Sequence, residues 1–341
     1  GFPPIKPALS LRKKSKHTVR SPFLIPILLA IPLALASPSP CTAATIQCPL
    51  IFDGRVPAEA TPQDFDTALG SGWNPYNPDY VKGADLSWTD IILLPGPAPA
   101  STRPGSRSSR FDVAERKRPL EVTISDASVF MNQRGFRRAG LLFAEDTNEG
   151  SPAGEGVKTL HCSARLDLER PLNLTHEYLN VWHETAAYDA NQFNFQTGTI
   201  ISQPELPKDT YKPLDRDNKL LWSTPMAMDG SWQNFALTPL FILERLIKLR
   251  LALCEKEPPA DGLPLSTIQI WHSAGNNPLA RQGGVVPVDL AGDGQYQIGI
   301  LKKPTGTGDV VNSGYQSSNL NEGLIYGGIF IEDSANGCVS I

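Results

Sequence analysis

The sequence has few of the residue patterns that mark metal, nucleotide or covalent catalysis. It contains no P-loop, no GxGxxG segment, no HExxH pair and no Ser-His-Asp nucleophile motif, and its five cysteines include no CxxC spacing. The five histidines are His17, His161, His176, His183 and His272. The sequence therefore predicts no metal site and no cofactor.

Neither sign of charge dominates the chain. The count of 31 Lys and Arg against 35 Asp and Glu gives a formal net charge of -4 at pH 7. A nucleic-acid partner is therefore not expected, because such binding uses a clear basic excess. Sequence repeats of fixed period are also lacking. What the chain does have is 31 prolines and 28 glycines among 341 residues, which indicates many turns between short strands.

The first 36 residues have the order of charges and apolar residues that is typical of a secretory leader. Residues 1–20 carry six basic residues and no acidic residue, and an apolar stretch follows over residues 23–36. Ala34-Leu35-Ala36 has the small-x-small form of a signal-peptidase site. We predict a signal peptide over residues 1–36 and a secreted, extracellular protein that has no membrane attachment after cleavage. An uncleaved anchor and a mitochondrial presequence are the alternatives.

Two further features fit a secretory compartment. Asn173 begins an N-x-T sequon and is a candidate for glycosylation. Cys48 lies near the start of the mature chain and Cys338 near its end. Because the first and last strands of a β-sandwich are often neighbours, we expect a Cys48–Cys338 disulfide, although sequence alone does not fix the pairing. Cys162 is expected to be a buried free thiol.

Short segments that favour β-structure run through most of the remaining chain. The strand candidates are Ile46–Phe52, Asp90–Leu94, Leu120–Ser125, Phe136–Phe143, Thr159–Ala164, Tyr178–Glu184, Gln192–Thr199, Thr267–Ser273, Tyr296–Leu301 and Leu324–Ile331. Several alternate with period two, which places polar and apolar side chains on opposite faces. We predict an all-β sandwich or jelly roll that forms a single domain over residues 37–341.

Two stretches interrupt this pattern. Residues 95–118 are rich in Pro, Ser and Arg and are predicted to form an exposed loop insertion. Residues 240–264 contain an amphipathic run of helical type, Phe241–Leu253. This run is either a surface helix or translated non-coding sequence left in a gene model, and we favour the second interpretation slightly.

Ordered sequence blocks carry a resemblance to a known family. The blocks are residues 48–57 (CPLIFDGRVP), 77–83 (NPDYVKG), 88–95 (WTDIILLP), 135–139 (GFRRA), 156–161 (GVKTLH), 172–178 (LNLTHEY), 183–184 (HE), 191–193 (NQF), 197–200 (TGTI), 232–237 (WQNFAL), 294–296 (GQY) and 302–305 (KKPT). Together they resemble glycoside hydrolase family 131, the fungal secreted β-glucanases. The resemblance implies a β-jelly-roll with an open substrate cleft on one sheet. It also implies inverting, cofactor-free hydrolysis of β-1,3, β-1,6 and β-1,4 glucan linkages.

The alternation of polar and apolar side chains in one strand candidate indicates the first catalytic carboxyl group. Glycoside hydrolysis usually needs two such groups, an acid and a base or nucleophile. Tyr178, Asn180, Trp182 and Glu184 are predicted to share one polar and aromatic face, whereas the opposite face looks like core. Glu184 is therefore the first catalytic candidate, and the alternative interpretation is a solvated strand residue. Glu177 is the second candidate, and its alternative is a structural charge paired with Arg170 or Lys158.

Two positions depart from the family pattern. Gly140 stands where the family's Arg-Arg-Ala-Glu motif has a presumed catalytic glutamate, and the loss of such a group removes about 10²–10⁴-fold of rate. Glu145 or Asp146 could replace it if the strand ends early, and an error at an exon boundary would also explain the glycine. Gln233 stands where the family usually has histidine; it can bind a sugar but cannot titrate near neutral pH.

The remaining site candidates are substrate-binding groups. Arg138 shares a strand face with position 140, and a surface ion pair is its alternative role. Gln192 and Asn194 form an amide row suited to hydroxyl recognition, and Trp182 is suited to stacking on a sugar ring. His176 and Gln233 complete the set. We predict a monomeric hydrolase with β-glucan polysaccharide as its partner; the alternatives are a non-catalytic β-glucan-binding protein of the same fold and a damaged gene model.

Overall fold

The computed structural model describes residues 44–96, 108–144, 151–241 and 266–341. The predicted signal peptide and nearly all of the 240–264 insertion lie outside these ranges. The described residues form two antiparallel sheets that pack face to face, and three short 3-10 helices, Pro62–Asp66, Trp88–Asp90 and Pro152–Gly154, lie in the connections between strands. Within the described ranges, no helix has the length and apolar character needed to cross a membrane.

The larger sheet has eight strands. They are β1 (Leu50–Asp53), β2 (Ile92–Leu93), β3 (Leu120–Ser125), β5 (Gly156–Leu166), β10 (Gln233–Phe241), β11 (Ser266–Ala274), β12 (Ala280–Val288) and β14 (Asn321–Asp333). Their order is β12-β11-β10-β5-β14-β3-β2, and β1 pairs with β14 beside β3. The last strand of the chain therefore lies in the interior of this sheet.

The smaller sheet has six strands. They are β4 (Arg137–Leu142), β6 (Glu177–Glu184), β7 (Asn191–Gly198), β8 (Thr210–Asp215), β9 (Thr224–Pro225) and β13 (Gln295–Lys302). Their order is β4-β13-β6-β7-β8-β9, so distant parts of the chain become neighbours. The all-β jelly-roll class predicted from the sequence is confirmed.

The core lies between the two sheets and is rich in aromatic rings. Phe195 of the smaller sheet meets Phe235 of the larger sheet edge to face, with ring centroids 4.6 Å apart. Tyr326 of the larger sheet donates its hydroxyl hydrogen to the carbonyl of Gly299 in the smaller sheet, at 2.5 Å. We call the side of the smaller sheet that points away from this core the outer face.

The expectation of an exposed loop over residues 95–118 holds for residues 113–116 but is wrong for residues 109–112. Ser109, Phe111 and Asp112 are buried against the outer side of the larger sheet. Phe111 packs edge to face on Phe330, with ring centroids 5.2 Å apart. Asp112 accepts hydrogen bonds from the Ser109 hydroxyl at 2.7 Å and from the backbone N–H of Gly328 at 2.9 Å. An apolar ring and one carboxylate that binds the backbone thus fasten this segment to the sheet.

The two ends of the described chain meet. Cys48 and Cys338 form a disulfide with their Cα atoms 5.9 Å apart, as the sandwich argument expects, and Cys162 is a buried free cysteine. Beside the disulfide, Glu332 accepts a hydrogen bond from the Ser340 hydroxyl at 2.6 Å and pairs with His161 at 2.8 Å.

Candidate active site

A bulge in β6 decides which of its side chains reach the outer face. Opposite β7, Leu179 pairs with Gln196 and Val181 pairs with Phe195, so Asn180 is an extra residue. Such a bulge shifts the alternation of side chains along the strand. The residues before and after Asn180 therefore do not follow one continuous period of two.

The predicted face of β6 is correct for its second half and wrong for its first half. Tyr178 packs in the main core together with Val181, whereas Leu179 and Trp182 belong to a separate apolar cluster. Glu184, two residues beyond Trp182, lies on the outer face and is partly exposed. The sequence therefore places Trp182 and Glu184 correctly but assigns Tyr178 and Leu179 to the wrong sides.

A second bulge changes the predicted amide row on β7. Gln192 is the extra residue of this bulge, and its side chain donates a hydrogen bond to the Leu290 carbonyl at 2.5 Å. Asn194 and Gln196 remain side by side and are joined by a hydrogen bond of 2.6 Å. The bulge thus gives the Gln192 amide a backbone partner, whereas Asn194 lies opposite Trp182, and the role of Gln192 in substrate binding stays a prediction.

Three neighbouring strands bring together one connected polar group on the outer face. Arg138 of β4 donates a hydrogen bond to Oε1 of Gln297 on β13 at 3.2 Å. The Nε2 of Gln297 donates to Oε2 of Glu184 on β6 at 2.8 Å. We call these three residues the Arg138–Gln297–Glu184 group. Two members, Arg138 and Glu184, are predicted from the sequence.

Burial sets the protonation of this group. Burial raises the pKa of Glu184 above its usual value, and the Arg138 charge and the Gln297 hydrogen bond oppose that rise. Burial also lowers the pKa of Arg138 to about 10, against the opposing effect of Glu184. A carboxyl group with a raised pKa can hold a proton and donate it to a leaving oxygen.

Gly140 lies on the outer face beside this group. A Cβ atom at this position would lie 3.3 Å from the Gln297 Oε1 and 3.1 Å from the Trp182 ring. Since the Gln297 amide bridges to Glu184, the gap from that Cβ position to the Glu184 carboxylate is at most about 8 Å. Acid and base in inverting enzymes lie about 6.5–9.5 Å apart. A carboxyl group at position 140 could therefore act together with Glu184. Glycine has no carboxyl side chain and cannot take this role.

The structure does not support Glu177 as the second catalytic carboxyl group. It begins β6, seven residues from Glu184, and at strand spacing this separates the two residues by about 23 Å. No water molecule could contact both groups across that distance. Glu177 is buried and forms an ion pair with Lys303 at 2.5 Å, not with Arg170 or Lys158.

Two predicted substrate-binding residues have structural partners instead. The Nδ1 of His176 lies 2.8 Å from the Lys303 carbonyl, and the residue is buried. Gln233 lies on β10 of the larger sheet, where its amide donates to the Pro225 carbonyl at 2.9 Å and accepts from the Ala227 N–H at 3.1 Å. Neither residue joins the Arg138–Gln297–Glu184 group, and their roles in substrate binding stay predictions.

Trp182 supports the group from the side. It packs with Phe136, Leu179 and Leu301 in the apolar cluster of the outer face. The Arg138 guanidinium carbon lies 5.6 Å from the centre of its ring, which is within range of a cation–π contact. Its proposed stacking on sugar remains a prediction.

Sequence reasoning missed Gln297, which connects the other two residues. A signal was present, because Gln295 and Gln297 alternate with Tyr296 and Ile298 in the same way that amides and aromatics alternate on β7. Two other predictions concern residues away from the group. Asn173 is exposed, and its glycosylation remains a prediction. Among the described residues, no cluster of three His, Cys, Asp or Glu side chains could hold a metal ion.

The family model of the glycoside hydrolase 131 catalytic N-terminal domain matches residues 50–337. The chain therefore belongs to the glycoside hydrolase family 131 catalytic domains.

Two solved structures share the fold. A family 131 β-glucanase catalytic domain from Podospora anserina is 19% identical, covers 85% of this chain and 97% of its own, and has a TM-score of 0.58. The catalytic domain of a family 131 protein from Coprinopsis cinerea is also 19% identical, covers 84% of this chain and 94% of its own, and has a TM-score of 0.56. No curated protein matches the chain significantly.

Proposed function

We propose that this chain hydrolyses β-glucans and that Glu184 donates the proton to the leaving glycosidic oxygen. The observation that carries the proposal is the position of Glu184. Its carboxyl group is partly exposed on the outer face, has a raised pKa and is held by Gln297 beside Arg138. Family membership supports the same reaction class.

The glucan chain would cross the outer face in an open cleft over β4, β13, β6 and β7. Gln297 and Arg138 would orient the acid, and the amides of Asn194 and Gln196 would bind sugar hydroxyls. An inverting reaction also needs a base that activates water on the opposite side of the sugar. We place that role at position 140, where glycine leaves it unfilled, so we expect slow turnover. Linkages of the β-1,3, β-1,6 and β-1,4 types are the proposed substrates.

A second candidate function is glucan binding with no turnover. Gly140 favours it, because this residue has no side-chain proton donor or acceptor at the position where the family pattern has a presumed catalytic glutamate. The fold and the polar outer face would serve binding equally well. The two functions differ only in whether new reducing ends are formed.

The test measures catalysis and binding separately. Reducing-end release from laminarin and barley β-glucan is compared for the wild type, Glu184→Gln and Glu205→Gln, an exposed control in the β7–β8 connection. We expect Glu184→Gln to lower the rate by about 10²–10⁴-fold with glucan affinity retained, and Glu205→Gln to have no effect. Equal rates for Glu184→Gln and the wild type would refute the role of Glu184. Binding with no reducing-end release by the wild type would establish the second candidate.

We also propose that the protein is secreted after cleavage of residues 1–36 and carries a glycan on Asn173. The exposure of Asn173 and the presence of the Cys48–Cys338 disulfide support this. Expression in a eukaryotic secretory host should give a culture-medium protein whose mass falls on enzymatic deglycosylation, and Asn173→Gln should abolish the fall. A mass that deglycosylation leaves unchanged would reject the glycan.

A further inference from the structure

Arg138 is a buried cation whose hydrogen-bond partners are neutral. The side chain is only 6% exposed, and its guanidinium donates to Oε1 of Gln133 at 3.3 Å and to Oε1 of Gln297 at 3.2 Å. Its Nε has no hydrogen-bond partner in the part of the chain that the structure describes. A buried charge with neutral partners and an unused donor destabilises the fold unless another group accepts that hydrogen bond and balances the charge.

The surroundings of Arg138 restrict how such a group can approach. The guanidinium carbon lies 5.4 Å from the ring centre of Phe130 and 5.6 Å from that of Trp182. The two terminal N–H groups of Arg138 already donate to Gln133 and Gln297, so the edge that carries the unpartnered Nε is the side left for a ligand. That edge matches the two oxygens of a carboxylate, which a guanidinium binds in a planar, two-pronged arrangement. Gly140, two residues along the same strand face, places no side chain there.

The charge of the site favours an anion. Glu184 is the one carboxyl group that acts on the Arg138 charge from nearby, and the two are separated by Gln297. When Glu184 holds the proton that it is proposed to donate, the Arg138–Gln297–Glu184 group has one net positive charge. Glu184 is partly exposed, so the group is open to solvent at that end.

We propose that the edge of Arg138 beside Gly140 is a carboxylate-binding site. The ligand is the C6 carboxylate of a uronosyl unit in a glucan-like chain or a small free carboxylate such as formate. It supplies the negative charge that no side chain at position 140 provides. Placing a uronosyl chain here rests on the proposed function, since it assumes that sugars occupy the same outer face. The carboxylate site itself does not depend on hydrolysis.

The test measures the thermal unfolding midpoint of the full chain in increasing sodium formate or sodium glucuronate. Sodium chloride at equal ionic strength and glucose are the reference additions. The variants are Arg138→Gln and, as a matched control, Arg165→Gln. Arg165 also lies over a ring, that of Trp232 at 5.2 Å, but Asp167 and Glu121 already compensate its charge.

We expect a carboxylate-specific rise of the midpoint in the wild type and in Arg165→Gln. In Arg138→Gln the apparent affinity should fall by about tenfold or more, because charge-assisted hydrogen bonds are lost. A rise with glucuronate alone identifies a uronosyl ligand, a rise with formate alone a small carboxylate, and a rise with both a general carboxylate site. A rise with neither, or an equal rise in Arg138→Gln, overturns the proposal.

A second variant keeps the test decisive if Arg138→Gln is unstable. Glu184→Gln preserves the shape of the side chain and removes the negative charge that Glu184 carries when it is ionised, so at a pH where wild-type Glu184 is ionised the variant should bind formate more tightly than the wild type. Unchanged or weaker binding contradicts the proposal. Because the readout is binding, a chain that takes up carboxylate but releases no reducing ends refutes the proposed hydrolysis and leaves this site in place.

Discussion

Gly140 faces Trp182 and Gln297 at the position from which a side chain would extend toward Glu184. Substituting Gly140→Glu adds the missing second carboxyl group, so we expect hydrolysis of barley β-glucan to rise by about 10²–10⁴-fold. A Cβ atom here lies 3.1 Å from the Trp182 ring, which must shift by a few tenths of an ångström. The measurement is kcat/KM from reducing-end release.

Gly140→Gln is the matched control, because it has the same size and the same contact with Trp182 but cannot ionise. It should show no gain in rate. An equal gain in both variants would assign the effect to packing, and no gain in Gly140→Glu would separate position 140 from catalysis.

The predicted roles of single residues succeed or fail according to their neighbours. Glu184 and Arg138 lie together because β4 and β6 flank β13, a relation that spans more than a hundred residues of sequence. Glu177 is a glutamate like Glu184, and only the register of β6 and its ion pair with Lys303 show that it is structural. Residue type indicates the chemistry, whereas position within the sheet decides whether it is used.

At the scale of elements, the bulge at Asn180 lets Tyr178 and Glu184, which are six residues apart, lie on opposite faces of the sheet. Deleting Asn180 would leave these two residues five apart, and at a period of two they would still face opposite sides. We therefore expect the Asn180 deletion to keep Glu184 on the outer face and to retain glucan binding, measured by affinity, although the lost bulge should cost some stability in urea unfolding.

Deletion of Gly72, which is exposed, serves as the control and should change stability little. Loss of glucan binding in the Asn180 deletion but not in the Gly72 deletion would show that Asn180 is not the extra residue of β6.

The segment over residues 108–118 contains a buried acid that makes stability depend on pH. Burial raises the pKa of Asp112 to about 6, above its unfolded value, so the folded state disfavours the charged form. The stability that protonated Asp112 gives the folded state is fully present at low pH and is lost as pH rises through the folded pKa. Asp112→Asn does not titrate. From pH 4 to pH 7.5 the wild type should therefore lose roughly 2 to 3 kcal/mol of unfolding free energy relative to Asp112→Asn.

Urea unfolding of both proteins at the two pH values measures that gain. A difference between the two proteins that stays constant with pH would show that Asp112 keeps an ordinary pKa.

The strands that can be predicted from the sequence are those in which polar and apolar side chains alternate clearly. Leu120–Ser125 is predicted with its observed bounds, and each of the other nine candidates overlaps a strand. The strands β8, β9, β10 and β12 were missed as candidates. Of these, β12 is largely exposed and contains two glycines and a proline, and β8 contains Pro213, so neither shows a clear apolar period. The bulges were also missed, because an extra residue leaves composition unchanged and alters only the pairing with the next strand.

At the scale of the whole molecule, the Cys48–Cys338 disulfide closes a loop with a sequence separation of 290 residues. A cross-link of this span restricts the unfolded chain strongly, and we expect the double variant Cys48→Ala, Cys338→Ala to lose about 4 kcal/mol of stability. Urea unfolding under non-reducing conditions measures this loss. Cys162→Ala is the control for removing a thiol, and a double variant that loses no more than this control would contradict the expectation.

The class of fold follows from features spread over the whole chain, whereas the arrangement of strands does not. Frequent turns and repeated period-two segments predict a sandwich of sheets. They do not show that β4 pairs with β13, or that Gln297 lies between Arg138 and Glu184, because those contacts depend on which distant strands pair. The pairing of Cys48 with Cys338 is an exception, since it follows from the general proximity of first and last strands.

The central place of β14 governs when the protein can finish folding. This strand lies between β5 and β3 in the larger sheet, yet it is the last to emerge during synthesis. Until residue 333 is available, the sheet exists as two separate halves whose facing edges have no partner. A ribosome-bound or truncated chain ending before Asn321 should therefore remain sensitive to proteases and prone to association through those edges. The strand order therefore delays completion of the larger sheet until almost all of residues 44–341 have been made.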